Sequence, residues 1–157
     1  MRYRDFEEFL ASCNARGVRY LVVGAHALAF HALPRATKDL DLYVDPSVEN
    51  AERLLSAVHD FFGGADIGFT VADVTELDTI LQLGIAPVRI DLLSSIAGIE
   101  SFEQAWQRRE DAAYGTIPTH YLSLEDLIAA KRSAGRDQDR SDLEHLERAL
   151  RAREGRP

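Results

Sequence analysis

The fold is decided by residues 18–44, which read VRYLVVGAHALAFHALPRATKDLDLYV. The apolar run at 18–23 predicts a buried strand that is broken by Gly24. The alanine-rich segment 25–33 predicts a short helix that is stopped by the proline after it. Residues 38–44 alternate polar and apolar side chains, which indicates a half-buried strand. A strand, a helix and a second strand therefore follow one another directly, as in a sheet packed against helices.

The segments on either side of this stretch predict further helices and strands. Caps, turns and apolar spacing predict helices at 3–16, 45–62, 101–108, 123–135 and 139–153, and strands at 67–71, 79–83 and 88–93. The last two strands are joined across Gly-Ile-Ala-Pro, which indicates a hairpin. Asp45 is assigned as a helix N-cap because Pro46 follows it.

We expect an α/β (α+β) fold, with a small mixed sheet flanked by helices. The whole chain, residues 1–157, is expected to form a single domain. Its core is predicted at about 18–95, and a helical C-terminal part at about 101–153.

The composition limits the classes of protein to which the chain can belong. The 157 residues are 46% hydrophobic and 28% charged, as in an ordinary globular domain. No apolar run approaches the roughly 18 residues needed to cross a bilayer, and the N-terminus lacks the apolar stretch of a signal peptide. The single cysteine, Cys13, excludes an internal disulfide and a cysteine-rich zinc site. We therefore expect a cytoplasmic protein that does not contact membranes.

The charge is unevenly distributed along the chain. The net charge of −8 argues against a protein that coats nucleic acid non-specifically. Residues 131–157, however, carry eight basic and six acidic side chains, a net charge of +2, which leaves −10 for residues 1–130. This basic end either faces a phosphate-rich partner such as RNA or is a solvated helix face with alternating signs.

Two predicted strands carry carboxylates in the same pattern. Alternation places Asp39 and Asp41 on one face of their strand, and it places Arg89 and Asp91 on the polar face of the strand at 88–93. If the two strands are neighbours, Asp91 joins Asp39 and Asp41 around one or two divalent ions. Hard oxygen ligands suit Mg²⁺ or Mn²⁺. The alternative is that Asp39 and Asp41 form the solvent face of an amphipathic strand.

Two further positions are candidates for phosphate binding. Gly24 stands at a strand-to-helix turn, where the backbone can approach a phosphate and the first helical N–H groups point at it. A tight turn that needs glycine is the simpler explanation. Lys131 continues the apolar stripe of its helix, and a cation on that face needs a partner. That partner is either a nucleotide phosphate or Asp139 or Asp142; a snorkelling lysine is a further alternative.

The motifs together resemble a known superfamily. The segment from Val22 to His31, followed by Arg-Ala-Thr-Lys-Asp-Leu-Asp-Leu at 35–42, resembles the signature of polymerase-beta-like nucleotidyltransferases. The form Arg-x-Thr-x-Asp-x-Asp and the segment 121–143 resemble the AbiEii-like bacterial branch, which includes toxins of toxin–antitoxin pairs. The likeness covers most of residues 18–146.

The resemblance implies a role for each candidate residue. Gly24 and Ala25 would contact the phosphates of a nucleoside triphosphate. Apart from the resemblance, Lys131 is a candidate nucleotide-binding residue, and Arg35 and Arg89 are secondary candidates for phosphate binding. Asp39 and Asp41 would bind the metal ions. Asp91 would complete the site and help to activate the acceptor hydroxyl. Ala25 departs from the pattern, in which glycine or serine stands at this position.

Three functions remain open from the sequence. The first is a metal-dependent nucleotidyltransferase that moves an NMP group to an acceptor hydroxyl of RNA, such as tRNA, or of a protein. The second is a catalytically degenerate relative that binds a nucleotide or a partner protein within a toxin–antitoxin pair. The third is another Asp-x-Asp enzyme. A phosphatase of that type usually has threonine at position 43, where this chain has tyrosine, and the chain is short for a glycosyltransferase domain.

Overall fold

A mixed sheet of six strands lies at the centre of the computed structural model, which describes residues 4–84 and 88–155. The strands are β1 (Tyr20–Val23), β2 (Asp39–Val44), β3 (Ile80–Leu83), β4 (Arg89–Leu93), β5 (Glu110–Tyr114) and β6 (Ile117–Tyr121). Their order across the sheet is β3-β4-β2-β1-β6-β5. β2 is antiparallel to β1 and parallel to β4, and β1 is parallel to β6. The two ends of the sheet are the antiparallel hairpins β3–β4 and β5–β6. The predicted α/β class is confirmed.

Seven helices accompany the sheet in the described residues. They are α1 (Arg4–Ala15), α2 (Gly24–His31), α3 (Val48–Phe61), α4 (Val71–Thr75), α5 (Phe102–Gln107), α6 (Leu124–Ala134) and α7 (Asp137–Arg153). None of these helices is long and apolar enough to cross a membrane.

The two faces of the sheet bury different apolar clusters. On one face, Leu40, Leu42, Ile90 and Leu92 pack with apolar residues of α1 and α3. On the other face, the cluster contains Tyr43 together with apolar residues of α2, α5, α6 and α7. Alternate side chains of β2 and β4 therefore point to opposite sides, as the sequence pattern predicts.

Local details correct two sequence-based assignments and bear out a third. Ser47, and not Asp45, is the N-cap of α3, because its hydroxyl accepts from the N–H of Asn50 while Asp45 accepts from the N–H of Ser47. Residues 67–71 form no strand, and Thr70 instead caps α4 in a capping box with Asp73. The β3–β4 hairpin is present, but residues 85–87 of its turn lie outside the described residues.

The C-terminal part is not only helical. The β5–β6 hairpin at residues 110–121 extends the sheet, and the sequence analysis assigned no strand there. Alanine in β5 and Pro118 in β6 are both unfavourable in strands, which explains the omission. β6 meets β1 at Tyr121, beyond the proline, so this pairing does not require the N–H that Pro118 lacks.

Candidate active site

Three aspartates meet on one face of two paired strands. Asp41 of β2 is the direct neighbour of Asp91 on β4, and Asp39 is the neighbour of Arg89. The intervening residues Leu40 and Ile90 are buried in the core on the other face. Because side chains alternate, the polar residues share the face that carries α2, α6 and α7. The structure thus brings Asp39, Asp41 and Asp91 together.

The turn at Gly24 borders this group directly. Gly24 has a φ of +64°, in the left-handed region that favours glycine. A Cβ placed on it would collide with Oδ2 of Asp41 and would lie 3.1 Å from Asp41 Cγ. Val23, the N-cap residue of α2, makes no side-chain capping hydrogen bond. The uncapped first turn of the helix, including Ala25, therefore begins beside the Asp41 carboxylate.

The carboxylates are partly balanced by one arginine. The guanidinium of Arg89 lies 2.9 Å from Asp91 Oδ1, and its Nη2 donates to Asp91 Oδ2 at 3.2 Å and to Asp39 Oδ2 at 3.4 Å. The pairing with Asp91 raises the pKa of Arg89. Asp41 makes no such ion pair: burial and then the carboxylates of Asp91 and Asp39 raise its pKa to about 6. The site therefore carries more negative than positive charge.

The side chains suit a divalent cation in chemistry but only partly in arrangement. Carboxylate oxygens are the ligands that Mg²⁺ and Mn²⁺ prefer. Asp91 Oδ1 is buried, and Arg89 Nε lies 2.9 Å from it without the alignment of a hydrogen bond. Within the described part of the chain, however, no three or more His, Cys, Asp or Glu side chains are placed to hold a metal. The guanidinium of Arg89 lies between Asp39 and Asp91, so Asp41 and Asp91 are the better pair of ligands.

A cavity of about 270 Å³ extends from the carboxylates toward α6 and α7. Gly24 and Asp41 line one part of it, and Lys131, Arg136 and Asp139 line another. Its remaining walls are mainly apolar. The cavity thus extends from the Gly24 turn to Lys131, the residue of α6 that is predicted to bind phosphate.

Lys131 is held by two buried aspartates. Its Nζ lies 3.0 Å from Asp142 Oδ2 and 3.3 Å from Asp139 Oδ1, and both aspartate side chains are 1% exposed. A hydrogen bond from Arg136 is the main reason that the pKa of Asp139 falls to about 2. Of the alternatives for Lys131, the structure shows the ion pair, and it also places the lysine at the wall of the cavity.

Arg35 lies away from the three carboxylates. Its guanidinium pairs with Asp142, and its side chain lines a second cavity on another side of α2. The structure therefore does not bring Arg35 to the cavity that contains Asp41 and Lys131. Asp142 joins both cations, because it accepts from Lys131 and from Arg35.

Sequence reasoning missed part of the cavity wall. Ser95, Ile96 and Ala97 follow β4 and line the cavity with Leu122. Residues 95–97 lie just beyond the predicted strand at 88–93, and this position was the sequence signal that could have placed them in the cavity wall. Leu122 precedes the Ser123 cap, and nothing in its local pattern marks it as part of a cavity.

Comparisons with known proteins identify the fold and a family. Residues 2–156 match the model of a family described as "Nucleotidyl transferase of unknown function (DUF2204)". The crystal structure of ANT(2'')-Ia in complex with adenylyl-2''-tobramycin is similar, with a TM-score of 0.61 and 17% identity over 95% of this chain and 89% of that chain. The solution structure of the antibiotic-resistance factor ANT(2'')-Ia gives a TM-score of 0.53 and 19% identity over 96% and 91% of the two chains.

A Thermotoga maritima protein provisionally named a nucleotidyltransferase has a TM-score of 0.54 and 16% identity, over 96% of this chain and 89% of that chain. No curated protein matches the chain. These findings support the nucleotidyltransferase superfamily and do not single out the AbiEii-like branch.

Proposed function

The chain belongs to a family of nucleotidyl transferases of unknown function and is a nucleotidyltransferase, and from this premise we propose that it moves an NMP group from a nucleoside triphosphate to an acceptor hydroxyl. We further propose that residues 1–157 act as one catalytic domain. The sheet carries the reacting groups, and α6 and α7 close the cavity beside them.

The observation that carries the proposal is the pairing of Asp41 with Asp91 beside the Gly24 turn. In this proposal Gly24 and Ala25 bind the triphosphate through backbone N–H groups at the start of α2, where a helix favours anions. Lys131 lines the same cavity and supplies a positive charge to the nucleotide. Arg35 contributes to nucleotide binding only indirectly, through the Asp142 that it shares with Lys131.

Asp41 and Asp91 are proposed to hold Mg²⁺ or Mn²⁺, with Asp39 as a third ligand. A bound divalent ion would neutralise charge on the triphosphate oxygens. The neighbouring carboxylates support this assignment, because after burial they are the next cause of the raised pKa of Asp41. Arg89 must leave Asp39 before that third carboxylate is free.

The proposed reaction is a single group transfer. The acceptor oxygen forms a bond to the α-phosphorus, the bond from that phosphorus to the bridging oxygen breaks, and pyrophosphate leaves. The acceptor hydroxyl gives its proton to Asp91, which lies on the reacting face of β4 and is the general base in this proposal. The walls formed by α6 and α7 limit the access of water.

The charge of the C-terminal helix bears on the acceptor. The sequence hypothesis names RNA or a protein. Several arginines of the basic end are paired: Arg132 with Glu147, Arg136 with Asp139, Arg140 with Asp137, and Arg153 with Glu110 and Glu125. These pairs reduce the field that RNA phosphates would meet. The similarity to ANT(2'')-Ia, whose complex contains an adenylylated tobramycin, adds a small-molecule acceptor as the version we favour.

A catalytically degenerate nucleotide-binding protein is the second candidate. The observation that favours it is the Arg89 guanidinium between Asp39 and Asp91, together with alanine at position 25. In this candidate the nucleotide binds and no transfer follows. A toxin–antitoxin partner belongs to this candidate and rests on the resemblance alone.

The decisive experiment measures transfer directly. The purified protein is incubated with each α-labelled nucleoside triphosphate, Mg²⁺ and separate pools of small metabolites, RNA or protein, and both pyrophosphate and labelled product are quantified. Asp41→Asn is the negative variant, and Asp45→Asn is its matched control outside the site. Product formation that requires Asp41 supports the enzyme. Nucleotide binding without any product in every pool supports the degenerate candidate.

A further inference from the structure

The edge strand β3 leaves part of the carboxylate face of the sheet uncovered. Leu81 and Leu83 pack into the core on the face that carries α1 and α3. Because side chains alternate along a strand, Ile80 and Gln82 point to the other face, which carries the Asp91 carboxylate. Ile80 is 57% exposed and Gln82 is exposed as well, so within the described residues no helix covers β3 on this face.

The strand register places Gln82 beside the proposed general base. Gln82 is the direct partner of Asp91 in the antiparallel β3–β4 pair, and Asp91 is in turn the partner of Asp41 on β2. Directly opposed residues share a face and have Cβ atoms about 5 Å apart. The three side chains therefore form one row across the sheet, with Asp91 between the carboxylate of Asp41 and the amide of Gln82.

The amide of Gln82 is available to a ligand. Its side chain makes no hydrogen bond with another residue of the part of the chain that the structure describes. A primary amide donates through its nitrogen and accepts through its oxygen, so it can bind a hydroxyl in either sense. A hydroxyl held by Gln82 lies next to Asp91, the group that takes the proton in the proposed reaction.

The uncovered part of β3 continues the wall of the main cavity. Leu93 lines that cavity and is the strand partner of Ile80. Ser95 also lines it, and its hydroxyl donates to Asp78 Oδ1 at 2.6 Å and accepts from the N–H of Asp78 at 3.0 Å. We call the surface formed by Asp78, Ile80 and Gln82 the β3 shelf. A compound on the β3 shelf therefore borders the cavity that is proposed to hold the nucleotide.

The surroundings of the β3 shelf are acidic. The segment 66–88 contains four carboxylates and no lysine or arginine. Two of these carboxylates, those of Glu76 and Asp78, are exposed beside the start of β3. The guanidinium of Arg89 on the neighbouring strand is already paired with two carboxylates. A cationic compound is therefore attracted to the shelf, whereas an anionic one is repelled.

We propose that the β3 shelf binds the acceptor and that Gln82 orients its hydroxyl toward Asp91. The acceptor is a cationic small molecule with several hydroxyl groups, and its carbon skeleton packs on Ile80. The transfer step rests on the proposed function. In that step the hydroxyl oxygen bonds to the α-phosphorus, pyrophosphate leaves with the electrons of the broken bond, and the proton passes to Asp91.

Binding to the β3 shelf can be measured without nucleotide. The probes are glucosamine, glucose and glucose 6-phosphate, which share a hydroxylated ring and differ in charge, and saturation-transfer NMR gives their affinities for the full chain. Glucosamine should bind most tightly and glucose 6-phosphate least. Gln82→Leu removes both hydrogen-bonding groups at similar side-chain size, so it should weaken glucosamine about 10-fold. Gln107→Leu, at an exposed glutamine that ends α5, should leave the affinity unchanged.

The contribution of charge is tested separately from that of the amide. Asp78→Asn should reduce the preference for glucosamine over glucose by roughly threefold, because it removes one negative charge from the shelf. Asp66→Asn removes the same charge beside α3 and should not change this preference. Unfolding midpoints establish that the variants remain folded, as expected for exposed positions. Equal affinities of the three probes, absence of glucosamine binding, or binding unaffected by Gln82→Leu overturns the assignment of the β3 shelf.

Transfer kinetics distinguish this inference from the proposed function. With a labelled triphosphate and hydroxylated amines as acceptors, Gln82→Leu should raise the acceptor KM about 10-fold and leave the triphosphate KM unchanged. Transfer that requires Asp41 but keeps the same acceptor KM in Gln82→Leu overturns the β3 shelf and leaves the proposed function standing. Glucosamine binding that is lost in Gln82→Leu, with no transfer by the unmodified chain, refutes the proposed function and leaves the shelf as a binding site.

A second copy of the chain is the other occupant that an exposed edge strand can take. Sedimentation velocity of the unmodified chain and of Ile80→Ser tests for it. A dimer that dissociates in Ile80→Ser would cover the β3 shelf and overturn its assignment to the acceptor. A monomer in both cases leaves the shelf open to the acceptor, as we expect.

Discussion

Asp41 on β2 and Asp91 on β4 are direct neighbours across two parallel strands, so their side chains leave the same face of the sheet. Neighbouring strands lie about 4.8 Å apart. Two carboxylates at this spacing repel each other unless a proton or a cation lies between them, which agrees with the raised pKa of Asp41.

Replacing either carboxylate should stop transfer and leave the fold intact. Asp41→Asn and Asp91→Asn each remove a proposed ligand charge, so we expect the rate to fall at least about 100-fold. Stability should be kept or increased in Asp41→Asn, which relieves the repulsion, and should be lower in Asp91→Asn, which also loses the ion pair with Arg89. Steady-state kinetics and urea unfolding check the two parts. Asp45→Asn is the control, since Asp45 pairs with Arg19 outside the site. A rate near that of the unmodified chain in Asp41→Asn would exclude the proposed metal site.

A methyl group at Gly24 should disturb the site more than the same change at Gly17. Both glycines have positive φ, of +64° and +68°, so alanine at each carries a similar backbone strain of about 1–2 kcal/mol. Only the Cβ at position 24 meets Asp41; nothing lies within 4 Å of a Cβ at position 17. Chemical unfolding and transfer assays of Gly24→Ala and Gly17→Ala separate the two effects. Loss of activity in both variants would mean that strain alone is responsible.

The sequence predicts the site geometry well where alternation and burial act together. Four apolar residues of β2 and β4 must be buried in the core: Leu40, Leu42, Ile90 and Leu92. Because side chains alternate along a strand, Asp41 and Asp91 then point together to the opposite face. Which strands are neighbours depends on tertiary packing. The sequence therefore predicts the shared site only on the condition that the two strands pair. The parallel pairing of β2 with β4 fulfils that condition.

Other features depend on contacts that no local pattern contains. The β5–β6 hairpin is stabilised by pairing and packing in the sheet, although its alanines and Pro118 have low strand propensity. Asp142 is separated from Arg35 by more than a hundred residues, so their ion pair is invisible in the sequence. The N-cap at Ser47 was misassigned because Asp45 and Pro46 offer an equally plausible local cap.

Removing Lys131 should weaken nucleotide binding more than removing Arg132. Lys131 lines the cavity beside Asp41 and bonds to Asp139 and Asp142, whereas Arg132 pairs with Glu147 at the surface. Calorimetric titration of Lys131→Met and Arg132→Met with a triphosphate and Mg²⁺ compares the affinities, and we expect a loss of roughly 10-fold for the first variant only. Equal affinities would restrict Lys131 to the ion pair.

Removing Arg89 should favour metal binding and so distinguish the two candidate functions. Its guanidinium contacts Asp39 and Asp91, where it competes with a cation. In Arg89→Met the carboxylates lose that competitor, and Mn²⁺ affinity measured by electron paramagnetic resonance should rise several-fold. Arg109→Met, which removes an arginine that pairs with Asp111, is the control. Without detectable Mn²⁺ binding in the unmodified chain or in Arg89→Met, the degenerate nucleotide-binding candidate becomes the stronger one.

Acidification should remove the stability that neutral His26 contributes, whereas Asp41, whose pKa is raised to about 6, acts in the opposite direction. Burial lowers the pKa of His26 to about 4, against 6.5 for an ordinary histidine, so the unfolded chain binds the proton more tightly. The contribution of His26 to stability is therefore full above pH 6.5 and falls as the pH drops toward 4, and the contribution of Asp41 is the same in both proteins compared below. His26 packs against the rings of Phe6 and Tyr114, neither of which is charged in this range, and the positive charge of the N-terminus adds to the effect of burial on its pKa.

The His26 contribution should fall by about 2 kcal/mol between pH 7 and pH 5, since each pKa unit corresponds to about 1.4 kcal/mol. Urea unfolding of the unmodified chain and of His26→Phe at both pH values measures it. The variant should lose less stability on acidification, because phenylalanine binds no proton. His31, whose pKa is also lowered by burial, is present in both proteins and cancels in the comparison. Parallel pH profiles of the two proteins would show that His26 is protonated equally in the folded and unfolded states, contrary to the burial that the structure gives it.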